Sequence, residues 1–175
     1  MTVARYSLPA RLLHWAVAAG IVTAVGIALA FDDLPLSPAR IRLLNYHKWA
    51  GVSVLFLVVV RIAVRLWLKP PALPASMRAW DFKLAAATHH LLYALMVLVP
   101  VFGWLASSAL GFPPVWFGIV HLPALLEKNK AVADVLQPIH MTLAWTLVAL
   151  VVLHVVAALK HRFFDHDKVM DRMLF

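Results

Sequence analysis

Four long apolar stretches joined by short polar segments dominate the chain. They run from about Leu12 to Phe31 (12–31), Tyr46 to Leu68 (46–68), Leu84 to Ser107 (84–107) and Pro138 to Leu159 (138–159). A bilayer core of roughly 30 Å needs about 20 apolar residues in a helix, because every backbone polar group inside it must be paired within its own segment. Each stretch therefore predicts a membrane-spanning helix. Turn chemistry punctuates them: Asp32-Asp33-Leu34-Pro35 ends the first, Lys69-Pro70-Pro71 ends the second, and Pro138 stands where a first-turn proline would open the fourth. The longest connection, about Ser108 to Gln137, holds Pro113, Pro114, Trp116 and Phe117 and predicts a partly buried surface segment with interfacial aromatic anchors rather than a fifth span.

Composition agrees with the pattern. Of 175 residues, 63% are hydrophobic and 14% charged, and the mean hydropathy is +0.85, more apolar than a soluble domain of this size could bury. The expected fold is all-α, a four-helix transmembrane bundle forming one domain over residues 1–175. The first stretch is too long for a signal-peptide core and no small-residue cleavage site follows it, so it is read as a mature span. A net charge of +8 would suit nucleic acid, but the basic residues flank the spans instead of lining one face. Eleven Lys and Arg (Arg5, Arg11, Arg61, Arg65, Lys69, Arg78, Lys83, Lys160, Arg162, Lys168, Arg172) fall on one side, and five (Arg40, Arg42, Lys48, Lys128, Lys130) on the other. By the positive-inside bias, both termini are expected in the cytoplasm. No cysteine is present, which excludes disulfides, iron–sulfur clusters, zinc thiolate sites and covalently attached c-type haem.

The nine histidines carry the chemistry, since ionisable groups at membrane depth are functional candidates. His14, His89, His90 and His154 fall at the cytoplasmic ends of their spans; His47 and His140 open the second and fourth spans on the outer side. Two layers result. His140 and His154 are 14 residues apart, nearly four turns, so they share a helix face at heights differing by roughly 21 Å. A six-coordinate b-type haem needs one imidazole on each side of its iron, held by facing helices. In the outer layer His47 pairs with His140 by elimination. In the inner layer His154 has two candidate partners, His14 and His90. Arg61 follows His47 by 14 residues and should point into the bundle at the inner layer, where a haem propionate would neutralise it; Arg65, one turn on, either shares that role or snorkels outward. His89 is expected to face lipid headgroups or a neighbouring helix, and His121 and His166 to be solvated. Trp15, Trp49, Trp67, Trp80, Trp104 and Trp116 read as an interface belt, while Gly20, Gly26 and Gly51 would permit close helix or porphyrin approach.

His14-Trp15, His47 before Gly51, His90-Leu91-Leu92-Tyr93, and His140 with His154 together resemble the bacterial cytochrome b561 family, related to the cytochrome b subunits of nickel hydrogenases and formate dehydrogenases. The resemblance covers nearly the whole chain and rests on the ordered set of histidines. It implies two non-covalent haem b groups and electron exchange with membrane quinone in the bacterial inner membrane. It also implies that His47 and His140 are axial ligands of the outer haem iron, and His14 and His154 of the inner one. With both irons six-coordinate, neither binds dioxygen. His90 and His161 are left for the quinone or proton side of the chemistry. One branch of the family suggests superoxide oxidation coupled to quinone reduction. The expected partners are lipid, quinone and an electron donor, small molecule or protein; a homodimer is compatible with this class and nucleic acid is not. Two rivals remain: a haem-binding anchor subunit relaying electrons for a hydrogenase or dehydrogenase, and a colourless histidine-relay transporter. The second would want carboxylates at mid-membrane, and no Asp or Glu lies in any of the four stretches.

Overall fold

The computed structural model describes residues 5–68, 71, 79–166 and 168–175, apart from the side chains of Ala79 and Asp81. Lys69, Pro70 and Arg78, invoked above for the second turn and the charge bias, lie outside the described residues. Four helices are long and apolar enough to cross a membrane: α1 (Leu8–Asp32), α2 (Pro38–Trp67), α3 (Ala79–Ala109) and α4 (Lys130–Phe163). The remaining regular structure among the described residues is a two-residue hairpin, β1 (Val115–Trp116) and β2 (Val120–His121), with a 3-10 turn at Met170–Arg172.

Every helix outruns its apolar stretch, because helix ends are set by capping groups rather than by hydropathy. Ser37 Oγ accepts from Arg40 N–H at 3.3 Å, with Pro38 in the first turn, so α2 starts eight residues before Tyr46. Asn129 Oδ1 accepts from Val132 N–H at 3.2 Å and starts α4 at Lys130. Pro138 accordingly lies inside α4 instead of opening it. The 34 residues of α4 extend about 51 Å, well beyond a bilayer core of about 30 Å. His47 and His140 therefore sit about three turns inside long helices, with backbone hydrogen bonds on both sides of them.

The connection from α3 to α4 is shorter than its composition suggested and closes on itself. Phe112 N–H bonds Ser107 C=O at 2.9 Å, Asn129 N–H bonds Ala109 C=O at 2.8 Å, and Leu125 N–H reaches Ser108 Oγ at 3.2 Å. Gly118 at φ +73° turns the hairpin. Tryptophans expected only at the lipid interface instead pin this segment: Trp49 Nε1 donates to Val115 C=O at 2.6 Å, Trp104 Nε1 to Pro123 C=O at 3.0 Å and Trp116 Nε1 to Ser53 Oγ at 3.1 Å. At the opposite end the residues around Tyr6 and Arg11, the C-terminal segment and Pro71 meet. Tyr6 N–H bonds Arg172 C=O at 3.1 Å, Arg11 donates to Leu174 C=O at 2.8 Å, Trp15 Nε1 donates to Met173 C=O at 3.1 Å, and the buried Arg172 donates to Pro71 C=O at 2.7 Å.

Helix α1 packs along α2, α3 along α4, and α2 touches α3, whereas α4 keeps its Cα atoms more than 8 Å from α1 and α2. Side chains bridge that space. At mid-depth Val17, Ile21, Val54, Val58, Leu92, Leu95, Met96 and Leu147 form one apolar cluster. Leu147 lies halfway between His140 and His154, and Val54 halfway between His47 and Arg61. The cluster is thus a plug between two layers of polar side chains. Helices α1 and α2 are in tight contact at Gly20, where an added Cβ would lie 2.8 Å from Val54 Cγ2. Gly20→Ala is expected to destabilise the bundle by about 1–3 kcal/mol through overpacking, read as a lowered thermal midpoint of helical circular dichroism in detergent.

Candidate functional site

His140 and His154 of α4 each meet a histidine from the other helix pair. His47 and His140 have ring centres 6.2 Å apart at 76°, and His14 and His154 have ring centres 6.4 Å apart at 66°. All four are half-buried. A metal–imidazole bond of about 2 Å leaves two rings on opposite sides of one metal about 6 Å apart between centres. Both separations match, and both occur where α4 stands off from α1 and α2. The donor set also fits a six-coordinate iron held without cysteine or carboxylate.

In the layer nearer the hairpin the rings are further committed. His47 Nδ1–H donates to Ala24 C=O on α1 at 2.9 Å, and His140 Nδ1–H donates to Val99 C=O on α3 at 2.9 Å. A carbonyl only accepts, so Nδ1 carries the proton and Nε2 keeps its lone pair for a metal, the arrangement that orients ligand imidazoles generally. Val99 precedes Pro100, in the turn where α3 loses a backbone donor. Gly103 makes room for the His140 ring: a Cβ there would lie 3.0 Å from Cε1 and 3.1 Å from Nδ1.

The layer nearer the termini is more charged. Arg61 Nε donates to Tyr93 Oη at 2.9 Å, and the guanidinium groups of Arg61 and Arg65 each lie 5.6 Å from the centre of the Tyr93 ring. Both arginines line a recess with Tyr6, Ala10, Leu68, Tyr93 and Met173, which the C-terminal segment helps to close. Arg65, although exposed, lines the same recess as Arg61. Two cations one turn apart repel, and an anionic group in the recess would neutralise them.

The structure separates the remaining histidines. His90 is exposed, its Nδ1 bonded to Ala86 C=O of its own helix at 2.7 Å, without a ring partner among the described residues. It is His89, accessible on one side, whose ring approaches His154, at 5.5 Å between centres. The signal was present in the spacing: His89, Leu92 and Met96 follow the three- and four-residue steps of one helix face, and Leu92 and Met96 are buried. His161 Nδ1 lies 3.2 Å from Asp165 Oδ2, a carboxylate that Lys160 Nζ also approaches at 2.7 Å. His121 is exposed in β2. Tyr93 as a partner of the arginines, Gly103 as the seat of His140 and the C-terminal segment as a wall of the recess were not foreseen.

A membrane-crossing helical bundle with facing imidazole pairs at two depths is the frame of a haem-binding membrane protein. The chain belongs to the prokaryotic cytochrome b561 family, whose model matches residues 5–175. It is 38% identical over 129 residues to cytochrome b561 homolog 2 of Escherichia coli K12, covering 73% of this chain and 68% of that one. It is 25% identical over 169 residues to a probable superoxide oxidase, CybB, of Yersinia pestis, covering 93% and 91%. With cytochrome b561 homolog 1 of Escherichia coli K12 the identity is 23% over 177 residues, covering 97% of each. The protein is thus a multi-pass, haem b-binding protein of the bacterial inner membrane and of electron transport. Gly103→Ala should lower haem affinity at the His140 position about tenfold by displacing the ring and its Nδ1 bond. Haem titration of the apo-protein is the measurement that checks it.

Proposed function

We propose that this cytochrome carries electrons across the membrane between two haem b groups and exchanges them with the quinone pool. His47 and His140 would hold one haem, His14 and His154 the other. The carrying observation is that α4 offers an imidazole to a partner ring at each of two depths, at 6.2 and 6.4 Å. Bound haem supplies the one-electron redox chemistry; the protein supplies ligation, orientation and a surrounding of low dielectric. With two histidines holding each haem, the protein would transfer electrons without binding dioxygen.

Arg61, with Arg65 beside it, would neutralise the propionates of the haem nearer the termini. The excess of Lys and Arg at that end supports a cytoplasmic placement of both termini. His90 and His161 lie toward the same end and are assigned to the quinone and proton side. The Yersinia relative's name favours superoxide as donor. Two superoxide ions, each giving up one electron and leaving as dioxygen, would then reduce one quinone, which takes two protons to become quinol. The relatives matched over most of their length are two cytochrome b561 homologs and a probable superoxide oxidase, which favours a stand-alone oxidoreductase over an anchor subunit.

Purified protein should give a b-type reduced-minus-oxidised spectrum and two haems per chain by pyridine haemochrome. His47→Ala or His140→Ala should remove one haem, and His14→Ala or His154→Ala the other. One haem in the wild-type protein, or loss of the second haem in His90→Ala with retention in His14→Ala, would overturn the assignment. A colourless protein would favour the transporter.

A further inference from the structure

We infer that His89 on α3 positions the haem ligand His154 by accepting a hydrogen bond from its Nδ1–H, which makes it the outer partner of that ligand. The inference rests on the haem reading above and adds a residue to it.

Metal-bound imidazoles almost always donate their second ring N–H to an oxygen or nitrogen acceptor, which fixes the ring and raises its basicity. His47 and His140 do so to carbonyls of neighbouring helices. Neither ring nitrogen of His154 has a hydrogen-bond partner among the described residues, and unlike His89 and His90 it does not use the carbonyl four residues back on its own helix. What adjoins it on the α3 side is the His89 ring, 5.5 Å between centres and edge to face at 75°. His89 Nδ1 is bonded to Ala85 C=O at 2.7 Å and must be the protonated nitrogen, so His89 Nε2 is left as an acceptor.

This juxtaposition follows from helix register rather than from one side-chain rotamer. Helices α3 and α4 run antiparallel, and Gly103 lies against His140. Fourteen residues back along α3 is His89, and fourteen residues on along α4 is His154. The same four-turn step on both helices carries the Gly103–His140 contact to the His89–His154 contact. In one layer α3 thus supplies a glycine seat and a carbonyl; in the other it supplies an imidazole. His14 approaches His154 from α1, which leaves the α3 side to His89.

The test compares His89→Phe, which keeps a ring against His154 but removes the acceptor, with His89→Gln, which restores an acceptor without the ring. Leu91→Ala, at an exposed neighbouring position of α3, is the control. Potentiometric titration of the purified, haem-loaded protein is read together with the electron paramagnetic resonance of the ferric haems. Loss of the acceptor makes His154 a weaker donor to ferric iron, so His89→Phe should raise the midpoint of one haem. The expected displacement is about tenfold in the reduction equilibrium, about 59 mV for a one-electron couple. The other haem should not move, and His89→Gln should return at least half of the shift. If His89→Phe does not assemble, His89→Leu makes the same comparison. Unchanged potentials with both haems bound would overturn the inference, as would a His89→Gln protein that behaves like His89→Phe, or the same shift in Leu91→Ala. Loss of the low-spin signal of one haem in both His89→Phe and His89→Gln, with retention in His14→Ala, would make His89 an axial ligand and also overturn it. Wild-type protein without haem would instead defeat the underlying function.

Discussion

Helix α4 is a single uninterrupted rod that presents His140 and His154 from one face, four turns apart, and its backbone stands off from α1 and α2 along its length. A 14-residue step in an α-helix returns nearly to the same direction, so the two imidazoles cannot be aimed independently. Whatever faces one must have a counterpart facing the other. His47 from α2 and His14 from α1 meet that requirement at different depths. Between them the apolar plug around Val54, Val58, Met96 and Leu147 closes the stand-off and fixes its width. Burial there is the hydrophobic and dispersive contribution that sets the helix spacing on which both imidazole pairs depend.

The two layers solve the same positioning problem differently. Near the hairpin, two backbone carbonyls from separate helices take the Nδ1 protons, and a glycine seat confines one ring. Backbone acceptors are rigid and uncharged. Near the termini, guanidinium groups stacked on Tyr93 and a second imidazole surround the pair, and the C-terminal segment, tied to Arg11, Trp15 and Tyr6, closes the recess. An environment rich in positive charge stabilises added negative charge, including an electron. The two layers therefore differ in their electrostatic surroundings within one short chain.

The segments outside the bilayer core serve the same geometry. The connection from α3 to α4 is held by indole N–H donors from Trp49, Trp104 and Trp116, and the C-terminal segment by Trp15. A tryptophan can sit at the lipid interface and still direct its one donor at a backbone carbonyl. These bonds tie non-helical backbone to the bundle where unpaired polar groups would be costly, and they fasten the ends of the helices that bear the histidines.

Hydropathy and spacing determined that four helices span the membrane, that His140 and His154 share a face, and that Arg61 points inward, because each follows from helix periodicity and bilayer thickness alone. The helix ends were not determined in this way: Ser37 and Asn129 cap α2 and α4 earlier than the apolar stretches begin, and Pro138 is accommodated inside a helix. Between His89 and His90 the sequence offered adjacent residues 100° apart on one helix, and only the register of α3 against α4 decided which one meets His154. Tyr93, Gly103, Ala24 and Val99 entered the site for the same reason. Periodicity fixes direction along one helix, whereas contacts between helices depend on how two packed surfaces slide and rotate against each other, and only the folded bundle sets that.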